Sequence, residues 1–86
     1  MVKNSITNEE IDEILENSEV CTFKVFDKCT VVAVKLPNGF VLTESSACVD
    51  PSNYDEEIGK QICLNKIEDK LWELEGYSLQ NELNKL

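Results

Sequence analysis

Few side chains in this sequence can do covalent or acid–base chemistry, and the missing types matter most. Its 86 residues contain no histidine, and all eight basic side chains are lysine. A Ser-His-Asp or Cys-His nucleophile pair cannot be assembled, and neither can a His-ligated zinc. Bidentate clamping of a phosphate or a guanine edge by a guanidinium is absent too. Four cysteines remain, Cys21, Cys29, Cys48 and Cys63. Their gaps are long and unequal and no C-x-x-C occurs, whereas a tetrathiolate zinc site shows paired short spacings. The expectation is reduced, buried thiols acting as small hydrophobes, with no metal site. Carboxylates are spread along the whole chain, so a pair such as Glu44 and Asp50 is no sign of general acid–base work. No loop has the EF-hand spacing that would hold Ca²⁺ or Mg²⁺. Catalysis is not expected, and no cofactor is implied.

Charge narrows the remaining classes. Seventeen acidic residues against eight basic ones leave a formal net charge of -9. Direct nucleic-acid binding through phosphate contacts is not expected at that balance. The N-terminal residues lack the apolar run and small-residue cleavage site of a signal peptide. No apolar stretch approaches the roughly 18 residues of a membrane span, so no membrane association is expected and the cytoplasm is the default compartment. Residues 1–86 read as one domain. A chain this short buries only about 60–65% of its unfolded surface, so its core is thin. A partner subunit is the expected supplement.

The elements follow from pattern. Thr7 with Glu10 three residues on forms a capping box, Ile6 and Ile11 are placed for a hydrophobic staple, and a helix is predicted over 6–16. Residues 20–26 and 29–36, rich in Val, Phe, Thr and Cys, read as strands joined at Asp27-Lys28. Leu36-Pro37-Asn38-Gly39-Phe40 is a turn, and 40–45 a third strand. In the middle strand Val32, Val34 and Leu36 point one way, and Val31, Ala33 and Lys35 the other. Both sheet faces are thus partly apolar, one to be covered by a helix and the other by a second subunit. Asn53 with Glu56 looks like the cap of a second helix. Ile58, Ile62, Ile67, Leu71 and Leu74 recur along it at near-helical spacing. Gly59 inside that run costs about 1 kcal/mol against alanine unless something packs closely on it. Glu75-Gly76 allows a break, followed by a short final helix carrying Leu79, Leu83 and Leu86. The fold class is α+β: an N-terminal helix, a three-stranded antiparallel meander and a long C-terminal helix broken near Gly76. The last amphipathic stretch is the expected subunit contact.

Three strings carry a resemblance. They are Asn38-Gly39-Phe40-Val41 running on to Ser46-Ala47-Cys48-Val49-Asp50, then Asn53-Tyr54-Asp55-Glu56-Glu57-Ile58-Gly59, then Lys70-Leu71-Trp72-Glu73-Leu74-Glu75-Gly76-Tyr77. Their order and spacing resemble the phage gene 49/gene 66 family of small proteins, over about residues 6–86. The resemblance implies a phage or prophage origin and action in the host bacterial cytoplasm. The family is also similar to the phage Thoeris anti-defence proteins, which assemble into oligomers and sequester cyclic ADP-ribose-type signals. Two departures stand out. Members often have Pro after the Trp, where this chain has Glu73, and phosphate-holding Arg is missing.

What the resemblance implies is a binding protein, not an enzyme. It would be a homo-oligomer, dimer or higher, that holds a host nucleotide immune signal of the cyclic ADP-ribose or cyclic oligonucleotide type without cleaving it. Ligand contacts would come from Ser45 and Ser46, from Asn53 and Tyr54 at the start of helix two, where free amides make an anion site, and from Asn65 and Lys66 further along. Phe40, Tyr54, Trp72 and Tyr77 are the aromatic candidates for the base. Against each stands a plainer reading: loop hydroxyls satisfying local backbone, and Trp72 and Tyr77 as core or interface aromatics. The alternative function is an acidic protein-interaction module or nucleic-acid mimic that inhibits a host protein. Against the mimic, the acids cluster at helix starts and beside lysines, the pattern of a solvated helix face.

Overall fold

The computed structural model describes residues 3–85. Helix α1 (Asn8–Glu16) leads into strands β1 (Glu19–Val25), β2 (Cys29–Lys35) and β3 (Val41–Ala47); a 3-10 turn (Pro51–Asn53) then precedes helix α2 (Glu56–Asn84). The sheet is an antiparallel meander in the order β1-β2-β3. The α+β architecture expected from the sequence is therefore present.

Local chemistry sets the boundaries. The Thr7 side chain accepts the Glu10 amide at 3.2 Å and starts α1, while the Glu10 carboxylate turns to Lys3 instead of closing the box. Ile6 and Ile11 both reach the core, Ile11 with no exposure at all. At the β2–β3 turn the Gly39 amide donates to the Leu36 carbonyl at 2.8 Å, and Gly39 takes φ +93, which its missing Cβ permits. The β1–β2 loop is less comfortable. Phe26 (φ 56) and Asp27 (φ 57) both sit in the left-handed region, and Phe26 is 85% exposed. Two positive φ angles suit the twist of a hairpin, but a bulky side chain is strained there.

Helix α2 departs from expectation at both ends. Its N-cap is Asp55, not Asn53: the Asp55 carboxylate accepts the Glu57 and Ile58 amides at 3.0 and 3.2 Å. Asn53 lies one turn earlier, in the 3-10 segment capped by Asp50. The helix then runs on through Gly76 to Asn84 with no break and no separate final helix. Glycine in a helix is a modest propensity loss, and with no proline behind it nothing removes an i→i−4 bond. Leu86 lies outside the described residues.

The core face of α2 keeps Ile67 and Leu71 of the sequence reading, but its first half is displaced by one residue. Gly59, Cys63, Ile67 and Leu71 are buried, whereas Ile58 (60% exposed), Ile62 (40%) and Leu74 (39%) flank that line. The small residues lead because the helix must approach the sheet closely. A Cβ added at Gly59 would lie 2.5 Å from Thr30 Oγ1. Val32, Val34, Leu36 and Leu42 meet this face from the sheet side, and Ile11 closes the core. The exposed stripe Ile58–Ile62 continues as Lys66 and Lys70, whose ammonium groups reach over β3 to the Ser45 and Thr43 carbonyls, 3.0 Å each.

Twenty-nine residues make α2 about 43 Å long against about 24 Å for a seven-residue strand, so the helix overhangs the sheet. The chain accordingly extends 54 × 20 × 19 Å. Along the overhang Leu79 and Leu83 line a shallow hollow together with Ile6 and Lys3. Leu79 and Leu83, in the stretch expected as the subunit contact, are half-buried and border this hollow. The thiols differ from expectation as well. All four are free, yet only Cys63 is buried; Cys29 and Cys48 are half-buried and Cys21 is exposed. No helix of the described residues is long and apolar enough to cross a membrane.

Candidate functional site

The residues proposed for ligand contact fall in three places. The first is the bend between β3 and α2. Ser46 lies opposite Thr30 in the sheet register, on the helix side. Thr30 is fully buried, and its hydroxyl shares a 2.6 Å hydrogen bond with the Tyr54 hydroxyl, which fastens the 3-10 segment to the sheet. Asn53 precedes Tyr54, and its carbonyl accepts a long contact from Cys48 Sγ at 3.7 Å. Several amides of this region are already engaged. Asp50 Oδ1 takes the amide and hydroxyl of Ser52, both at 2.9 Å, which holds its carboxyl below the usual carboxylate range. Asp55 takes the Glu57 and Ile58 amides. A ligand anion would compete there with the chain's own carboxylates.

The second place is the β3 edge. Lys66 Nζ bonds the Ser45 carbonyl, so these two residues do meet, through the backbone and not the Ser45 hydroxyl. Beside them Lys70 Nζ lies 2.7 Å from Glu44 Oε2. That hydrogen bond, helped by the charges of Lys70 and Lys66, holds the Glu44 carboxyl below its ordinary value. Exposed strand carbonyls invite another strand, and ammonium groups seated on them close part of this edge.

The third place is the opposite flank of α2. Asn65 accepts from Gln61 Nε2 at 2.9 Å and borders an open, mostly apolar hollow of about 340 Å³ with Leu15, Val20 and Leu64. It is not brought together with Lys66, because adjacent helix positions diverge by about 100°. Of the aromatic candidates, Trp72 packs on the core, while Phe40 (52% exposed) and Tyr77 (72%) stand in solvent.

Lysine pairing adds a feature that spacing could not reveal. Five lysines, at 3, 24, 35, 70 and 85, lie within ion-pair distance of a carboxylate. Among the described residues Lys28, Lys60 and Lys66 do not. They do not form one cluster, since Lys60 and Lys66 stand six helix positions and about 120° apart round α2. Lys28 Nζ is 3.5 Å from the Val49 carbonyl, Lys60 follows the Gly59 that touches Thr30, and Lys66 sits on Ser45.

A second feature is the sheet face turned away from α2. Strand alternation puts Cys21, Phe23 and Val25 of β1, Val31 and Ala33 of β2, and Val41 of β3 on it. None of them is buried, and no element of the described residues lies over them. The two-sided apolar pattern of 29–36 signalled this face. The strained Phe26 left no signal, because no glycine or asparagine marks that loop.

A family model described as phage protein (N4 Gp49/phage Sf6 gene 66) family matches residues 6–83. The chain belongs to this family. The match covers α1, the whole sheet and α2 up to its last residue, with every residue of the three places above. No curated protein and no solved structure matches the chain. In this Gp49/gene 66 protein no group of three or more Cys, Asp or Glu among the described residues is arranged to hold a metal ion.

Proposed function

We propose that this phage-family protein works by binding without turnover, as an assembly of copies of the chain in the host bacterial cytoplasm. Its ligand would be a host nucleotide immune signal of the cyclic ADP-ribose or cyclic oligonucleotide type. The ligand class rests on the resemblance to the signal-sequestering anti-defence proteins. The observation that supports it in the geometry is that Lys28 and Lys66, both without a carboxylate partner among the described residues, seat on the Val49 and Ser45 carbonyls, where β3 runs into the bend end of the sheet. Ser46 and Tyr54 stand at that end, and Asp50 and Asp55 are engaged as caps. Two ammonium groups supply point charges for phosphates where guanidinium is missing. Tyr54 and residues of a second copy would supply apolar surface for the base. The proposed contacts remain Ser45, Ser46, Asn53, Tyr54, Asn65 and Lys66, now with Lys28 added. Asn65, on the far flank, can join them only from a neighbouring copy.

The test is a thermal-shift and calorimetric titration with cyclic ADP-ribose isomers and cyclic di- and trinucleotides. Chromatography of the released ligand then shows whether it is recovered intact. A tight ligand raises the melting temperature by mass action. Lys28→Gln and Lys66→Gln should each weaken binding about tenfold, the loss of one charge-assisted contact. No shift with any nucleotide refutes the reading. Intact fold with unchanged affinity in both variants refutes the site.

The acidic interaction module is the second reading, and one observation favours it. Glu9, Asp12, Glu13 and Glu16 of α1 are exposed and enter no ion pair among the described residues. A basic host protein recovered in a salt-sensitive complex, lost on charge reversal of α1, would support this reading over the first.

A further inference from the structure

We propose that the free edge of β1 takes up an extended basic peptide of a host protein as a fourth strand of the sheet. The inference goes beyond nucleotide binding and does not depend on it; it gives the acidic-module reading a surface of its own.

The two edges of the sheet are unlike. On β3 the Thr43 and Ser45 carbonyls point outward and are taken by Lys70 and Lys66. That fixes the hydrogen-bond phase of the whole meander. Residues alternate along a strand, so β3 bonds β2 through the pairs Leu42–Val34 and Glu44–Val32, and β2 turns the backbone of Val31 and Ala33 to β1. Their β1 partners are Phe23 and Cys21, which leaves the amides and carbonyls of Val20, Thr22 and Lys24 directed outward. Strand β1 is the last of the sheet, and no lysine of α2 is seated on it as on β3. An uncovered edge of this kind is a template for another strand.

The same three residues turn their side chains to the helix side, opposite Val34, Val32 and Thr30. Helix α2 lies over β2 and β3 and not over β1. Val20 is accordingly 44% exposed, although its partner Val34 is fully buried. With Leu15 and Leu64 it lines the open, mostly apolar hollow of about 340 Å³ between α1 and the flank of α2. A strand added at β1 lays one row of its side chains toward that hollow.

Charge names the occupant. The charged residues bordering the hollow are Glu16 and Glu68, and neither has a cation within ion-pair distance among the described residues. Glu68 is half-buried there. The lysines nearest in the sheet are already answered, Lys24 by Asp27 at 3.9 Å and Lys35 by Glu19 at 4.0 Å. A second copy would bring its own Glu16 and Glu68 to the same place, and chains of charge -9 repel. A nucleic acid is turned away for the same reason. A peptide with an apolar side chain for the hollow, and Lys or Arg two residues to either side on the same strand face, answers both acids. Its main chain supplies affinity and its alternate side chains specificity.

The test uses a labelled peptide as long as the seven residues of β1, acetyl-Thr-Lys-Thr-Val-Thr-Lys-Thr-amide, followed by fluorescence anisotropy and amide NMR of the full chain. Binding should slow hydrogen exchange of the Val20, Thr22 and Lys24 amides at least tenfold and leave Thr43 and Ser45 unchanged. The same composition in scrambled order should bind at least tenfold more weakly. Two further peptides carry N-methyl groups at alternate residues, one in each phase. The phase that blocks the donors turned to β1 should lose at least tenfold, and the other little. Glu68→Lys should weaken binding at least tenfold, while Tyr77→Lys, on the helix overhang, should not. Thr22→Pro removes an outward amide that β2 does not use and should abolish binding; should it fail to fold, the N-methylated peptides carry the same test. No binding, equal binding of the scrambled or of both N-methylated peptides, unchanged affinity in Glu68→Lys, or edge amides that the peptide leaves unprotected overturns the proposal. A peptide held by the acids of α1 with the edge amides unprotected keeps the acidic-module reading and ends this one. Nucleotide titrations of the same samples keep the ligand apart: binding of either without the other leaves that one standing.

Discussion

Replacing Gly59 by alanine should destabilise this protein, against the usual rule for helices. Glycine to alanine in a helix interior ordinarily gains about 1 kcal/mol. Here the new Cβ would meet Thr30 Oγ1 at 2.5 Å and Thr30 Cβ at 3.1 Å. Thr30 cannot swing aside freely, since it is fully buried and its hydroxyl is held by Tyr54 at 2.6 Å. Overpacking of this kind costs about 1–3 kcal/mol. A displaced Thr30–Tyr54 hydrogen bond costs about 1 kcal/mol more. Set against the propensity gain, the net loss is about 1–3 kcal/mol, a fall in melting temperature of roughly 4–8 °C per kcal/mol at this size. The assay is thermal and urea unfolding at fixed protein concentration, because any association shifts the midpoint. The Thr30→Ala background supplies the control. Without Oγ1 the worst contact is gone, and Gly59→Ala should cost markedly less there, a coupling of about 1 kcal/mol or more. If Gly59→Ala is more stable than wild type, or the two substitutions simply add, α2 does not ride on Thr30 and the helix–sheet register described here is wrong.

Three further expectations follow from single sites. Phe26→Asn should raise stability by about 1 kcal/mol in urea unfolding, because asparagine tolerates the left-handed backbone that Phe26 occupies and the exposed ring buries little; a loss would mean that a partner surface holds the ring. Lys70→Met should move the Glu44 titration, followed by carboxyl NMR, up toward its ordinary value of 4.5. A folded value below the unfolded one contributes stability above pH 4.5 that is lost as pH falls through the folded value, so the variant should show a flatter acid limb, and an unchanged limb would refute the pairing. Cys63 is fully buried and its burial pushes the thiol pKa up, so mass spectrometry should find it unalkylated until urea unfolds the chain.

The elements were legible in the sequence because each carries its own local chemistry. Thr7 caps where spacing placed it, and the alternation of Val31 to Leu36 gave both the strand and its two apolar sides. What failed were choices between near-equivalent signals. Asn53 stands three residues before Glu56 and Asp55 two before Glu57, both at capping distance, and the Asp55 carboxylate takes the amides because Pro51 starts a 3-10 turn that holds Asn53. The buried line of α2 matches expectation at Ile67 and Leu71 and differs by one residue at its start, because hydrophobicity marks Ile58 and Ile62, whereas close approach selects Gly59 and Cys63. Size decided there, and size shows only against the partner, Thr30. The candidate site was the least legible part. Ser45 and Lys66 lie 21 residues apart and meet through a carbonyl that has no signature in sequence. Asn65, next to Lys66 in the chain, faces the other flank.

Charge placement ties the surface together. The acids of α1 and of the first turn of α2 sit where helix dipoles favour them, and several lysines answer carboxylates or strand carbonyls nearby. The outcome is a molecule negative in most directions, with one apolar face that is locally neutral and one end where lysines lack carboxylate partners among the described residues. Repulsion between copies grows with the charge brought together, so an approach through the neutral face is the least opposed. The same acidity opposes a nucleotide over most of the surface, and Lys28 and Lys66 offset it only where β3 runs into the bend. Nucleotide binding that strengthened as salt rose would therefore remove these two lysines from the site.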